Sequence, residues 1–389
     1  MKIVYITNAR LPTEKAHGVQ ILKMIQAFSG LGNQTILIHP KRHQKEISHK
    51  TNVFKFYGIE KTFEVKSLKF VDPYIFRPFM PKFLYRFFSF FIDFMWGIFS
   101  VNYSKKYSPD FLIFRDNTPF SLFISYLLRI PSVIEFHDMP PFISKRIFKF
   151  VIKRSKRIKC FSVTKKLSSD LENYFGLDKN RIKILPDAVD LEEFTNNPEI
   201  NNTSSKPILT YCGSLSYEKG TDLLVETAIK LEDFQVIIVG GLDEEVKIYS
   251  EKARNMNINN IKFVGQVLPS EVANYLYASD ILLLPSSGKS KKSREYTSAM
   301  KLFEYLATGV PIVASNIPSN TEILTEYKNC ILFNPDDSDN LSQEIKKLWK
   351  DYSLREKISK NSIELSKQFT WKNRCKVIID GIKELNEFI

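Results

Sequence analysis

Residues Tyr296 to Ser315, YTSAMKLFEYLATGVPIVAS, gather residue types that could bind a phosphorylated ligand. The pattern predicts a loop, a short helix carrying Glu304, a turn at Gly309 and an apolar strand opened by Pro311. Thr297 or Ser298 is placed to cap the helix, leaving several first-turn N–H groups unpaired and pointing forward. Such an end attracts phosphate. Glu304, two turns in, could accept hydrogen bonds from a neutral diol such as a ribose. An amphipathic helix with an exposed Glu would use the same residues, and on this segment alone the two readings stand level.

A second anion-attracting end lies upstream. YCGSLSYEKGTDLLVETA (211–228) reads as a strand, a glycine-bearing loop and a helix starting near Thr221 or Asp222. Gly213 permits close backbone approach, and Lys219, just before the helix, could pair with a diphosphate. An ordinary strand–helix loop with an exposed Lys is the alternative. In IEFHDMPP (134–141), His137 and Asp138 end a strand of the first half. His137 is a candidate for hydrogen bonding a sugar or for proton transfer, or else it caps the following turn. In NARLPTEKAHGVQ (8–20), Gly18 falls where a helix start could meet a ligand, but the spacing is not G-x-G-x-x-G. Asp337 and Asp339 form a D-x-D that could hold a cation. They precede LSQEIKKLW, so helix capping is the expectation, with no metal.

The elements that must position these residues alternate. Apolar runs at 2–7, 34–40, 110–115, 132–137, 159–164 and 182–187 read as buried strands separated by helix-length segments, the signature of a doubly wound parallel sheet. Runs at 207–213, 234–241, 261–265, 280–286, 311–315 and 330–334 repeat the plan. The polar stretch TNNPEINNTSSKP (195–207) reads as a linker. Two α/β domains are expected, 1–195 and 207–365, their strand ends facing a cleft where ligands bind. The segment 366–389 is expected to be a helix packing back on the first domain, amphipathic about Trp371, Val377 and Ile378.

At 389 residues, 43% hydrophobic and 25% charged, the chain suits two globular domains. Four scattered Cys without metal or disulfide spacing suggest a reducing compartment. MKIVYITNAR reads as a first strand rather than a signal peptide.

The net charge of +13 is lopsided. Residues 1–200 hold 32 basic and 18 acidic residues, a surplus of 14; residues 201–389 hold 24 and 25. Such an excess points to an anionic partner. No nucleic-acid recognition motif is legible, and two stretches favour a membrane surface. Residues 74–101 are crowded with Phe, but Arg86 and Asp93 interrupt the run. A buried helix preceded by a lipid-dipping loop is expected rather than a span. Residues 142–159 put Ile143, Ile147, Phe150 and Val151 near one helical face, with Lys145, Arg146, Lys149, Lys153 and Arg154 largely elsewhere. The alternative there is a solvated helix of a lysine-rich protein.

Taken in order, these motifs resemble the retaining glycosyltransferases of family 4 (glycosyltransferase group 1), with the GT-B fold of two Rossmann-like doubly wound parallel-sheet domains facing a cleft. YCGSLSYEKGTDLL resembles the family's G-x-L-x-x-x-K-G loop, and AMKLFEYLATGVPIVAS the helix bearing its second donor-site glutamate. PDAVDLEEF, DILLLPS, IPSNTEIL and FTWKNR fall in the family's order. The resemblance implies that Lys219 contacts the donor diphosphate and Glu304 the ribose. It implies that backbone N–H groups of Ala299, Met300 and Lys301 meet the donor's phosphate and sugar, with Gly213, Ser214 and Tyr296 beside them. His137 would lie near the transferred sugar and Gly18 on the acceptor side.

The chain departs from the pattern twice. Ser214 stands where many members have an arginine, which leaves Lys219 less help against two phosphate charges. Tyr296 stands where many have a first glutamate, with Glu295 one step off. A subgroup resembling SPLKLFEY shares the second departure. The implied function is sugar transfer from a nucleotide-diphosphate sugar to a glycan or lipid-linked glycan, without metal or other cofactor. The setting would be bacterial surface polysaccharide synthesis, in the cytoplasm and peripheral at the inner membrane face. A non-catalytic nucleotide-sugar-binding scaffold and a sugar-nucleotide epimerase on the same fold are the alternatives.

Overall fold

The structure is a computed structural model that describes residues 1–42, 51–194 and 205–386. It divides into two compact units: Met1–Pro186 with Trp371–Ile389, and Asp187–Thr370. The division falls ahead of the Asn-rich stretch, of which 195–204 lie outside the described residues.

Among the described residues, unit 1 holds seven strands: β1 (Lys2–Ile6), β2 (Gln34–Lys41), β3 (Glu64–Lys69), β4 (Phe111–Arg115), β5 (Ser132–Phe136), β6 (Ile158–Ser162) and β7 (Ile182–Ile184). They form one parallel sheet in the order β3-β2-β1-β4-β5-β6-β7. Its helices are α1 (Ala16–Gly30), α2 (Val53–Tyr57), α3 (Lys82–Ser104), α4 (Pro119–Leu127), α5 (Phe142–Arg154) and α6 (Lys165–Phe175).

Unit 2 holds β8 (Ile208–Cys212), β9 (Gln235–Val239), β10 (Ile261–Gly265), β11 (Ile281–Leu284), β12 (Ile312–Ser315) and β13 (Ile331–Phe333). They too are all parallel, in the order β10-β9-β8-β11-β12-β13. Its helices are α7 (Thr221–Ile229), α8 (Asp243–Asn255), α9 (Pro269–Tyr277), α10 (Met300–Thr308), α11 (Pro318–Thr321), α12 (Ser338–Lys350) and α13 (Tyr352–Ser366). The last helix, α14 (Trp371–Asn386), belongs to unit 1 and packs on α1.

Parallel strands covered on both faces read as near-continuous apolar runs, and every such run in the sequence is a strand. The exception is β3, EVKSLK, which the hydrophobic pattern does not reveal. It is an edge strand with no buried residue, and its lysines suit an edge. Strand order reverses between β1 and β4 and between β8 and β11, so each unit has a switch point, the place where sheets of this kind bind ligands beyond the strands' carboxyl ends.

Three helical faces differ from expectation. On α14 the buried stripe is Trp371, Arg374, Cys375, Ile378 and Ile382, while Val377 is exposed. On α5 it is Phe148, Val151 and Ile152, with Phe148 edge-on to Phe136 of β5; Ile143 and Phe150 are exposed. In each case the apolar residue left outside lies one position off the three- and four-residue spacing that meets the sheet. α3 is buried only from Ile92 onward, and its first ten residues include none that is buried.

Candidate active site

In unit 2 the loops after β8 and β11 flank the switch point. β8 ends at Cys212, and Gly213 follows with φ +149°, a conformation open to glycine. The chain then turns through Tyr217–Lys219 to Gly220 at φ +77°. A Cβ on Gly220 would strike the Pro285 carbonyl after β11, so this glycine lets the two loops touch. They are stitched at Glu218: its carbonyl accepts from Ser287 N (3.1 Å) and Ser293 Oγ (3.0 Å), and its carboxylate from Ser290 Oγ (2.8 Å). Lys219 is thereby fixed immediately before α7, whose start has no side-chain cap.

The helix bearing Glu304 is α10, and its N-cap is Ala299, again without a side-chain cap. Neither expected cap acts there. Ser298 Oγ accepts from Asp187 N (2.9 Å), and Thr297 Oγ1 donates to Lys292 O (2.9 Å). Both hydroxyls are spent on holding the approach to the helix. The amides beginning at Met300 and Lys301 are left without side-chain competition for an anion. The helix itself is held against the sheet by Cys212 N, which donates to Tyr305 Oη at 2.8 Å.

The side chain of Lys301 is the group that motif reading missed, having given this residue only a backbone role. Its ammonium lies 3.8 Å from the centroid of the Tyr211 ring and occupies the space where a Cβ on Gly213 would be. Burial and the nearby charge of Lys219 push it down to about 7. Lys219 is shifted down too, by burial first, with Glu218 opposing and Lys292 adding a smaller push. Lys301 thus feels the charge of Lys219 beside two uncapped helix starts, an arrangement that an anion would relieve.

Ser214 is exposed and supplies no charge. Tyr296 is 4% exposed, within a π-helical turn Lys292–Tyr296. Glu295 is engaged by Arg294 at 2.7 Å. Gly240 and Gly241, which close the apolar run 234–241, follow β9. Side chains there would collide with the Gly213 carbonyl and with Leu215, so they allow the β8 and β9 ends to close on each other. Asp337 caps α12, accepting from Asn340 N at 2.9 Å, and Asp339 pairs with Lys230 at 2.6 Å.

In unit 1, His137 follows β5 and its Nε2 meets Glu135 Oε1 at 2.6 Å. Glu135 is fully buried. Burial alone would raise its pKa, but Arg374 (2.8 Å to Oε2) and His137 hold it well below 4.5. An ionised Glu135 accepts the hydrogen on Nε2, so Nδ1 is the ring nitrogen left for another partner. Asp116, after β4, fixes the backbone by accepting from the N–H groups of His137 (2.8 Å) and Asp138 (3.0 Å). Gln20 of α1 donates to Glu135 at 2.8 Å and accepts from Arg115. His17 belongs to the same cluster and is pushed down to about 4 by burial, then Arg115. Gln20, Arg115 and Arg374 do not stand out in the sequence, because the partners that bring them here are 95 or more residues away. Gly18 is buried near the start of α1. A Cβ on it would collide with Tyr57 Oη, which bonds the Thr13 backbone (2.7 and 2.8 Å) and so braces the loop after β1.

Residues 193–365 match the family model described as glycosyl transferases group 1. An uncharacterized glycosyltransferase of Methanocaldococcus jannaschii is 26% identical over 67% of this chain and 69% of its own length. A D-inositol 3-phosphate glycosyltransferase of Corynebacterium urealyticum is 23% identical over 56% of this chain and 54% of its own. The sulfoquinovosyl transferase of Arabidopsis thaliana is 23% identical over 68% and 53%. The chain thus spans little more than half the length of the last two. Among solved structures, sucrose-phosphate synthase from Thermosynechococcus elongatus superposes with TM-score 0.74 at 16% identity over all of both chains. Anabaena HepE in complex with UDP and glucose gives TM-score 0.74 at 16% identity over 99% and 100%. The fold is GT-B, two parallel-sheet α/β domains, and these likenesses together support a group 1 glycosyltransferase.

Proposed function

We propose that this chain is a group 1 glycosyltransferase that moves a sugar, with retention, from a nucleotide-diphosphate sugar to a glycan or lipid-linked glycan. The work would take place at the cytoplasmic membrane face, in surface polysaccharide synthesis. The observation that carries the reading is the convergence of Lys219 and Lys301 on two uncapped helix starts at the switch point of unit 2. There the diphosphate would sit on the amides of α7 and α10, with Glu304 on the ribose. As the bond from the anomeric carbon to the phosphate oxygen breaks, the two ammonium groups would neutralise the charge left on the diphosphate. The acceptor oxygen bonds the same face of the anomeric carbon, and its proton passes to the departing phosphate. This reading needs no divalent cation. His137, presenting Nδ1, would hold a hydroxyl of the transferred sugar.

The names of the relatives support transfer of a glycosyl group, and UDP in the HepE complex is one candidate for the nucleotide. A panel of nucleotide sugars should reveal the donor by thermal stabilisation, about 2.7 kcal/mol at a hundredfold excess over Kd. Incubating that donor with a lipid-linked acceptor plus EDTA should then yield glycosylated product. Stabilisation with no product from any acceptor would favour the scaffold, and interconversion of free nucleotide sugars without acceptor the epimerase.

A further inference from the structure

We propose that the first half of α3, with the turn before it, is an interfacial anchor that inserts into an anionic lipid bilayer. By length and composition, the helix at Lys82–Tyr107 is apolar enough to cross a membrane. It does not cross, because its second half is core. Trp96, Gly97, Ser100, Val101 and Ser104 are buried, and a Cβ on Gly97 would lie 2.9 Å from the Phe120 backbone of α4. Only the first half is available to lipid. Phe79, Phe83, Phe87 and Phe91, four residues apart, are 82%, 71%, 73% and 51% exposed. Water has nothing to offer such a row, and its contiguity marks an interaction surface.

Lipid rather than protein is argued by charge. Arg77, Lys82 and Arg86 are exposed among these rings, and unit 1 carries the chain's basic surplus. Long basic side chains keep their charge at headgroup level while their stems stay apolar. The surface continues sideways. Phe90 and Phe94 of α3 stack edge-on to Phe120 of α4, and Phe123 of α4 meets Phe150 of α5. In a parallel sheet the helices return antiparallel to the strands, so the starts of α3 and α5 share the sheet's carboxyl edge. At the α5 start, Phe142 and Ile143 are 64% and 53% exposed beside exposed Arg146.

The anchor is rigidly tied to the loop after β1. Asn8 of that loop donates to Asp93 of α3 at 2.6 Å and is itself held by Arg42. Seating the rings in lipid would therefore set the bilayer against the loop that precedes Gly18, where a lipid-linked acceptor would enter. That last step rests on the glycosyltransferase reading; lipid binding does not.

The test is co-sedimentation of the whole protein, without donor, with phosphatidylcholine vesicles and with vesicles containing phosphatidylglycerol. Binding should need the anionic lipid and weaken with salt. Phe79→Ser, Phe83→Ser and Phe87→Ser should each lower partitioning about tenfold, and Lys82→Gln and Arg86→Gln about fivefold each. These side chains are exposed, so thermal unfolding should not move. Equal binding to both vesicles, no binding to either, or variants that bind like the parent would overturn the assignment. So would a dimer broken by the Phe variants in a protein that ignores lipid. Loss of acceptor turnover with lipid binding intact would count against the enzymatic reading alone.

Discussion

Lys301 packs its ammonium 3.8 Å from the Tyr211 ring centroid, over the one position, Gly213, whose missing side chain makes room for it. Tyr211 contributes a π face, and burial keeps its hydroxyl neutral. Cys212 beside it is pushed up to about 12, by burial and then Glu304, and stays a thiol. After burial, Lys301 is pushed down by Lys219 from the facing loop and drawn up by Cys212 and then by Glu304 of its own helix. The lysine is therefore poised to gain a proton when a diphosphate replaces water.

Donor affinity should accordingly depend on pH with a definite sign. Below about 7, where Lys301 is already charged in the free protein, affinity should be flat. Above 7 the diphosphate must draw in a proton, so affinity should fall by about tenfold per pH unit until the pKa of the complex is reached. Titration calorimetry at pH 8 in two buffers of different ionisation enthalpy should show net proton uptake. Lys301→Arg should abolish most of the slope; any remainder reports Lys219, which is shifted in the same direction. An unchanged slope in Lys301→Arg would remove Lys301 from the phosphates.

Lys219→Ala should weaken the nucleoside diphosphate and the nucleotide sugar by about 1.5–3 kcal/mol, the range for a hydrogen bond to a charged group. The bare nucleoside should be unaffected. Ser214 is exposed and uncharged and offers no compensation. Equal losses for nucleoside and diphosphate would place Lys219 away from the phosphates.

Glu304→Ala should cost donor affinity about 10- to 150-fold, from the same range. Glu304 is half-buried, and its loss should shift thermal unfolding little compared with a core substitution. A 2′-deoxy donor should lose less on this substitution than the ribose donor does. Identical losses would separate Glu304 from the sugar.

In unit 1, Arg374→Met should be strongly destabilising, by about 3–5 kcal/mol, because it strands the buried Glu135 carboxylate. The pH dependence follows from Glu135 lying well below 4.5 in the folded state. Its contribution is present above the unfolded value and is lost as pH falls through the folded one. Parent stability should therefore drop on acidification below about 4.5, and Arg374→Met should flatten that drop. Urea midpoints from pH 3 to 7 measure both.

What the sequence determined by itself was whatever is local or periodic. Buried parallel strands are continuous apolar runs, so the two doubly wound sheets were legible, and so was Asp337 as a helix cap. The local positions of Lys219, just before α7, and of Glu304, within α10, were legible because each sits at a fixed offset from a turn with its own glycine. Tertiary structure decided the rest, because the deciding partner is remote in sequence. Ser298 turns from helix cap to a brace for Asp187, 111 residues away. Lys301 acquires its shifted ammonium only when β8 and α10 bring it over Gly213. Glu135 looks like one more residue of an apolar strand until Arg374, 239 residues later, arrives to keep it ionised and so orient His137. Val377, apolar and expected inside, is left in water because burial is settled by which side of α14 meets α1, and local composition cannot say which.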